Sequence, residues 1–365
     1  MSFDGSILLL ILAIALAHAS FWGVLLANLA YLRRQPTDTA APLPSLTVCI
    51  PARNEAENLR RLLPSLQKQD YSELDIRVWD DGSEDDTWAV LNEHENERLT
   101  PLRGTEPPDG WVGKVHALYQ CTREADGDRY LFLDADAELK GTDALRRLVA
   151  RHERAPTNVS SGFPDLRGGA MLLVSLVPHA LLRSLPWPLV ARTEAASLSA
   201  LNGQCWLIDA DVYHAHEPHE HAKNDVLEDV AIGRYLKSTG HPPTLLDVQD
   251  LVSVYMYESY GEAWRGFRKN TYLLLGGTPA SFLVMYTGFV LTWLVAPFLS
   301  IWFLVSLYGL KMVTDRASGA SATVSLLAPV SYLLGLLLML DSALHHWSGR
   351  VSWKGRSVPS SAPPS

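Results

Sequence analysis

Residues 130–139, YLFLDADAEL, set three carboxylates, Asp134, Asp136 and Glu138, directly behind an apolar run of the kind that builds a buried strand. Charge beside an apolar core is costly and calls for a partner. Two carboxylates two residues apart, just past a strand, let one face a metal ion and the other a sugar ring or a metal-bound water. Hard oxygen ligands suit Mg²⁺ or Mn²⁺, and Mg²⁺ is usually held by one or two carboxylates plus substrate phosphates. A solvated turn that caps the next helix uses the same residues. A phosphatase with an Asp nucleophile also begins D-x-D, although a hydroxyl residue usually follows there, whereas Glu138-Leu139 follow here.

Further clusters are of the same kind. Asp80-Asp81-Gly82-Ser83 can hydrogen-bond a nucleobase or ribose edge, with Gly82 permitting a tight turn, and a helix-capping turn uses these residues equally well. Arg53 and Asn54, after Pro51, can meet a diphosphate or a base, or form a turn with Glu55 well placed at a helix N-terminus. Gly110-Trp111-Val112-Gly113-Lys114 supplies a flexible loop, an aromatic platform and a cation at a helix start, where the lysine pairs with phosphate or lies along the surface. In NDVLEDVAIGRYLK (224–237), Glu228-Asp229 opens a helix, a place for a general base toward an attacking hydroxyl or for an ordinary first-turn acid. His214, His216, His219 and His221 lack the tight i, i+4 pair of a helical zinc site and read as an active-site loop or plain surface.

The elements around these residues have a common arrangement. LTVCIPARNEAENLRRLLPSLQKQ (46–69) reads as a strand, a turn and an amphipathic helix with Leu59, Leu62, Leu63 and Leu66 on one face. DIRVWDDGSEDDTWAVLNEH repeats it, with a strand over Ile76–Trp79 and a helix from near Asp85. A helix over Lys114–Glu124 then leads to a strand over Tyr130–Leu133 and its acids. Alternating strands and helices predict an α/β fold with a mainly parallel sheet. In such sheets ligands bind at the carboxyl ends of the strands, where Pro51–Glu55, Asp80-Asp81 and Asp134–Asp136 all fall.

Both ends of the 365-residue chain are apolar, while residues 33–160 are ordinary soluble sequence. Residues 6–32 contain no Asp, Glu, Lys or Arg, and roughly 20 apolar residues cross a bilayer, so a retained transmembrane anchor is expected there. The absence of a basic start, the length and Arg33-Arg34 argue against a cleaved signal. Further spans are expected over 282–310 and 324–344, joined by a short loop holding Lys311, Asp315 and Arg316. Basic residues at Arg33-Arg34, at Arg265, Arg268 and Lys269, and at Arg350, Lys354 and Arg356 place the central domain on the cytoplasmic side of the inner membrane. The stretch 168–190 is apolar but broken by Pro178, Arg183, Pro186 and Pro188, and reads as an element lying on the bilayer. A Pro/Thr/Ala linker is expected at 35–44 and a disordered Pro/Ser tail at 357–365.

The net charge of −9, without a basic stripe interleaved with aromatics, argues against a nucleic-acid partner. The three cysteines have no CxxC spacing, so neither a disulfide framework nor a cysteine zinc site is expected.

Taken in order, IPARNE, WDDGS, GWVGK, DADAE, LEDV and RGFRK resemble the inverting family 2 glycosyltransferases with the GT-A fold. The likeness covers about residues 45–275, and the flanking spans resemble membrane-bound members such as ceramide glucosyltransferases and bacterial carotenoid- or hopanoid-associated enzymes. The resemblance implies a domain over 45–275 that takes a nucleotide-sugar donor, normally a UDP-sugar, with Mg²⁺ or Mn²⁺, and transfers one sugar to a membrane lipid such as a carotenoid, other isoprenoid or sphingolipid-like molecule. On it, Asp80 contacts uracil beside Asp81, Pro51, Arg53 and Glu55 line the nucleotide pocket, Asp136 holds the metal, and Asp134 lies by the donor and the metal. Asp229 is the catalytic base with Glu228 beside it, Lys114 lies near the donor phosphates, Arg265 and Arg268 hold the pyrophosphate, and Trp111 and Trp206 face the acceptor. The family's Q/R-x-x-R-W signature survives only as Arg265-Gly266-Phe267-Arg268-Lys269, with Lys in place of Trp, which argues against a processive polysaccharide synthase. A non-catalytic nucleotide-binding scaffold is the other alternative, and would predict damage to carboxylates that are all present.

Overall fold

The structure, a computed structural model, describes residues 5–34, 43–199 and 201–348, together with the backbone of residues 352–353 and 356–357. Most of the expected linker, Arg350, Lys354 and all but the first residue of the expected tail lie outside the described residues. The chain packs as two units, one of Leu32–Asp165 with Trp187–Tyr255 and the other of Met1–Tyr31, Leu166–Pro186 and Met256–Ser365.

The chain forms strands β1 (Leu46–Ala52), β2 (Leu74–Asp80), β3 (Leu99–Arg103), β4 (Arg129–Leu133), β5 (Ala137–Leu139), β6 (Val159–Phe163), β7 (Asp165–Gly168), β8 (Cys205–Asp209), β9 (Thr244–Asp247) and β10 (Val252–Tyr257), all in the first unit except most of β7 and the last two residues of β10. Seven of them form one sheet in the order β3-β2-β1-β4-β8-β6-β9. The pairs β1–β2, β1–β4, β2–β3 and β6–β9 are parallel, as the alternating pattern predicts. Strand β8 runs antiparallel between β4 and β6, which makes the sheet mixed. Residues 46–50 on β1 are all buried, the near-continuous apolar run of a strand covered on both faces. The helix after it, Ala56–Gln67, presents Leu59, Leu62, Leu63 and Leu66 to the core, each fully buried and contributing about 1.5–3 kcal/mol.

Register explains why the acids meet. Ala52 pairs with Asp80, so β1 and β2 end level and release Arg53 and Asp81 at the same rim. Leu133 pairs with Cys205, so the antiparallel strand begins where β4 ends, and the residues just before Cys205 arrive beside Asp134.

In the second unit, three helices among the described residues are long and apolar enough to cross a membrane: Gly5–Leu32, Pro279–Leu299 and Ala328–Trp347. The single span expected over 282–310 is two helices. Ser300 adopts an extended conformation and its hydroxyl accepts the N–H of Trp302, so the chain stops after Leu299 and restarts as Ile301–Ala317. Lys311, Asp315 and Arg316, expected in a loop, lie on that restarted helix, where Lys311 and Asp315 bury each other as an i, i+4 ion pair. The apolar stretch 168–190 is three short helices, and its apolar run Met171–Ser184 is shorter than the roughly 20 residues a span needs.

Candidate active site

The rim is assembled from loops that satisfy one another. After β1, Asn54 takes a left-handed conformation with φ 54°, and its N–H donates to Ser83 Oγ at 2.9 Å. Glu55 N–H donates to Thr87 Oγ1 at 2.8 Å, and Ala56 N–H to Asp85 Oδ2 at 3.2 Å. The turn-forming side chains of SEDDT therefore hold the Arg53–Ala56 loop, which frees Asp80 and Asp81 from that work. Gly82, at φ 69°, makes the turn that lets Ser83 N–H donate to Asp80 Oδ1 at 2.9 Å. Asp80 is fully buried and its Oδ2 has no partner among the described residues. Arg53 lies against Asp81, Nη1 to Oδ2, at 3.5 Å.

The second cluster joins three elements. Lys114, at the start of helix Gly113–Thr122, places Nζ 2.8 Å from Asp134 Oδ1 and 3.1 Å from Glu228 Oε1. Asp229 follows on the first turn of helix Glu228–Ser238, with Oδ1 accepting Val230 N–H at 2.8 Å and Oδ2 accepting Gly203 N–H at 3.3 Å. Asp134 N–H in turn donates to the Gln204 carbonyl at 3.1 Å. Gly203 and Gln204, just before the antiparallel strand, are rim positions that sequence reasoning missed. A Cβ on Gly203 would lie 3.3 Å from Asp229 Cβ and 3.4 Å from both Glu228 Oε1 and Lys114 Nζ. The Asn-Gly turn ahead of a strand was the available signal.

Charge here is unbalanced. Burial and then Glu228 push the Asp229 carboxyl up to about 6, against Lys114 and the two N–H donors. Burial, followed by Asp134 and Glu55, pushes Asp136 well above the carboxylate range. Burial also raises Asp134, though Lys114 opposes it. Lys114 itself is driven up, since Asp134 and Glu228 together outweigh its desolvation, so it stays protonated. Asp136 Oδ1 is buried with no partner among the described residues. An excess of buried carboxylate beside an orphaned oxygen fits a divalent cation on Asp136 with Asp134 beside it. No group of three or more His, Cys, Asp or Glu side chains among the described residues is arranged to hold a metal alone, so such a cation would take its remaining ligands from a bound phosphate group.

The other predicted residues fall elsewhere. Trp111 packs on Tyr119 and His116 near the start of the Lys114 helix. Trp206, expected on the acceptor side, is a core residue: it is 1% exposed and stacks 4.3 Å from Phe132, because its position on β8 points into the sheet's packed face. Arg265 and Arg268 lie on helix Tyr260–Leu274 of the other unit, where Arg268 Nη1 is 3.7 Å from Asp341. Pro51 is on β1 opposite Trp79. The histidines do not converge: His214 contacts Tyr130, His219 contacts Tyr213, and His221 stacks on Tyr235.

Residues 47–217 match the family described as Glycosyl transferase family 2. The chain is 26% identical over 349 residues to the 4,4'-diaponeurosporenoate glycosyltransferase of Staphylococcus aureus strain bovine RF122 / ET3-1, covering 86% of this chain and 88% of that protein. Against the protein of the same name from strain USA300, the identity is 27% over 245 residues, covering 64% and 62%. Among solved structures, the mannosyltransferase PcManGT from Pyrobaculum calidifontis, in complex with GDP-Man and Mn²⁺, is similar with a TM-score of 0.57 at 18% identity, covering 92% of this chain and 97% of that one. That last likeness is one of fold. The mixed sheet with its acidic rim is the GT-A-like arrangement, and the chain, carrying a glycosyl transferase family 2 domain over residues 47–217, is an inverting glycosyltransferase.

Proposed function

We propose that this enzyme transfers a single sugar from a nucleotide-sugar, a UDP-sugar by preference, to a lipid acceptor of the carotenoid or other isoprenoid class at the cytoplasmic face of a membrane. The observation that carries the proposal is the Lys114–Asp134–Glu228–Asp229 cluster on the rim of the sheet, in a chain with three candidate membrane spans. The lipid class is supported by the carotenoid-related relatives, which align over most of both chains.

Asp80 offers its orphaned Oδ2 to an N–H on the edge of the base, and Arg53 lies beside the neighbouring Asp81. Lys114 stays protonated and meets negative charge on the donor phosphates. Asp229, held by two backbone N–H groups, takes the proton from the acceptor hydroxyl as the oxygen attacks the anomeric carbon from the face opposite the leaving diphosphate. Inversion follows from that geometry. A divalent cation on Asp136 and Asp134, when bound, offsets the charge that builds on the leaving diphosphate. An acceptor arriving as a carboxylate has no proton to lose, and its transfer would not need Asp229 as a base.

Calorimetry on the full-length detergent-solubilised protein, titrated with nucleotides and nucleotide sugars in Mn²⁺ and then in a chelator, tests the donor side. The expected result is binding of UDP or a UDP-sugar that the chelator weakens, and weaker metal-dependent binding in Asp136→Asn. A folded sample that binds none of them would overturn the reading.

A further inference from the structure

Arg183 is a buried charge of the second unit. It lies on helix Leu176–Ser184 and is 1% exposed. Its guanidinium carbon faces the rings of Phe21 at 4.2 Å, Trp293 at 5.2 Å and Phe289 at 5.8 Å. Among the described residues no ion pair or hydrogen bond reaches it, and Nε is buried without a partner. The titratable groups around it are His18, His179 and Tyr332, with no carboxylate among them. Ring faces offset only part of the desolvation of a guanidinium. Its depth sharpens the problem. Asn28 Nδ2 donates to the carbonyls of Leu182 and Leu185, which fixes the end of the Arg183 helix near that residue, while Phe21 is seven residues, roughly 10 Å, further into the candidate span. An ionisable side chain at such a depth points to function.

Trp293 also lines a cavity of about 300 Å³, together with Phe298, Leu307, Tyr332, Leu336 and their apolar neighbours. Trp293, over which Arg183 lies, is 4.8 Å from Tyr332, so the cation and the cavity share a wall. That wall sits on a π-helical turn, Val290–Val295, a distortion that recurs at functional sites.

We propose that this unit binds a single-chain carboxylate amphiphile, its head on Arg183 and its hydrocarbon tail in the cavity bounded by Trp293 and Tyr332. A planar carboxylate matches the guanidinium fork. A carboxylic acid also enters hydrocarbon neutral and ionises beside the cation, whereas a phosphodiester keeps its charge and remains at the bilayer surface. The site concerns the membrane unit alone and does not depend on the donor or the transfer reaction.

The test uses palmitate carrying ¹³C at its carboxyl, titrated into full-length protein in phosphatidylcholine nanodiscs and followed by NMR. A saturable bound carboxyl signal is expected, ionised at lower pH than palmitate in empty nanodiscs. Hexadecanol, the same chain without the charge, should displace it only at roughly ten-fold higher concentration or more. Arg183→Gln should weaken binding by roughly 10- to 100-fold. Leu336→Trp, which fills the cavity and leaves Arg183 in place, should weaken it as well. Equal competition by hexadecanol would reduce the site to a generic chain groove and overturn the proposal, and it needs no variant that must fold. Stronger displacement by phosphatidic acid would overturn the carboxylate class, and undiminished binding in both variants would remove the site.

Discussion

Two clusters, one in each unit, treat buried charge in opposite ways. In the unit that holds the candidate spans, Lys311 and Asp315 are almost wholly buried, pair one to one on a single helix, and are completed by Ser175 Oγ at 2.9 Å from the lysine and Ser325 Oγ at 2.8 Å from the aspartate. In the catalytic unit, Lys114 alone faces Asp134 and Glu228, with Asp229 and Asp136 close enough to be shifted by the same group of charges. Two further carboxylate oxygens there, on Asp80 and Asp136, have no partner among the described residues. A closed set of charges holds helices together, while an open one is finished by a ligand. Buried charge alone therefore does not mark a site; its imbalance does.

The largest expected effects separate these two roles. Asp229→Asn should lower kcat for a hydroxyl acceptor by roughly 10²- to 10⁴-fold while calorimetric donor binding stays close to wild type. Retained transfer would show that Asp229 is not the base. Lys311→Ala should leave an uncompensated buried carboxylate and destabilise the fold by about 3–5 kcal/mol. Replacing both partners, Lys311→Met with Asp315→Leu, should restore stability in denaturant unfolding. If the double variant is as unstable as the single one, the pair is not the self-contained set described above.

A smaller effect is the pH dependence of transfer. Asp229 is held up at about 6 by burial and by Glu228. A base must be ionised, so kcat should rise about ten-fold per pH unit below that value and level off above it. Lys114 opposes the rise in Asp229, so Lys114→Met should move the rising limb to higher pH. An unmoved limb in that variant would assign the titration to another group.

What was legible in the sequence follows the range of the interactions involved. The acids at the strand ends were readable because each βα unit carries its own period and turn residues within some twenty positions. The antiparallel strand β8 was not, since nothing local in Cys205–Asp209 states that it inserts between β4 and β6. With it went Gly203, whose N–H reaches Asp229 across 26 positions, and Trp206, whose burial depends on Phe132 in the neighbouring strand. Lys311 and Asp315 looked like the end of a span because charge in an apolar run usually is one. The i, i+4 pairing that lets them continue the helix becomes decisive only when Ser175 and Ser325 are in place.

The finest test of the open cluster is Gly203→Ala. The glycine contributes no side chain, yet its N–H holds Asp229 and its Cα leaves room for three charged groups at once. A methyl group there would sit 3.3 Å from Asp229 Cβ, which must give by a few tenths of an ångström, and 3.4 Å from Glu228 Oε1 and Lys114 Nζ, at the edge of ordinary contact. Since Lys114 and Glu228 are already drawn together at 3.1 Å, the easiest relief is a shift of the base relative to the donor. The expected outcome is a fall in kcat of roughly ten-fold with donor KM nearly unchanged, a loss confined to positioning. Equal losses in donor binding would place Gly203 in the donor pocket instead, and would mean that Lys114 rather than Asp229 yields to the methyl group.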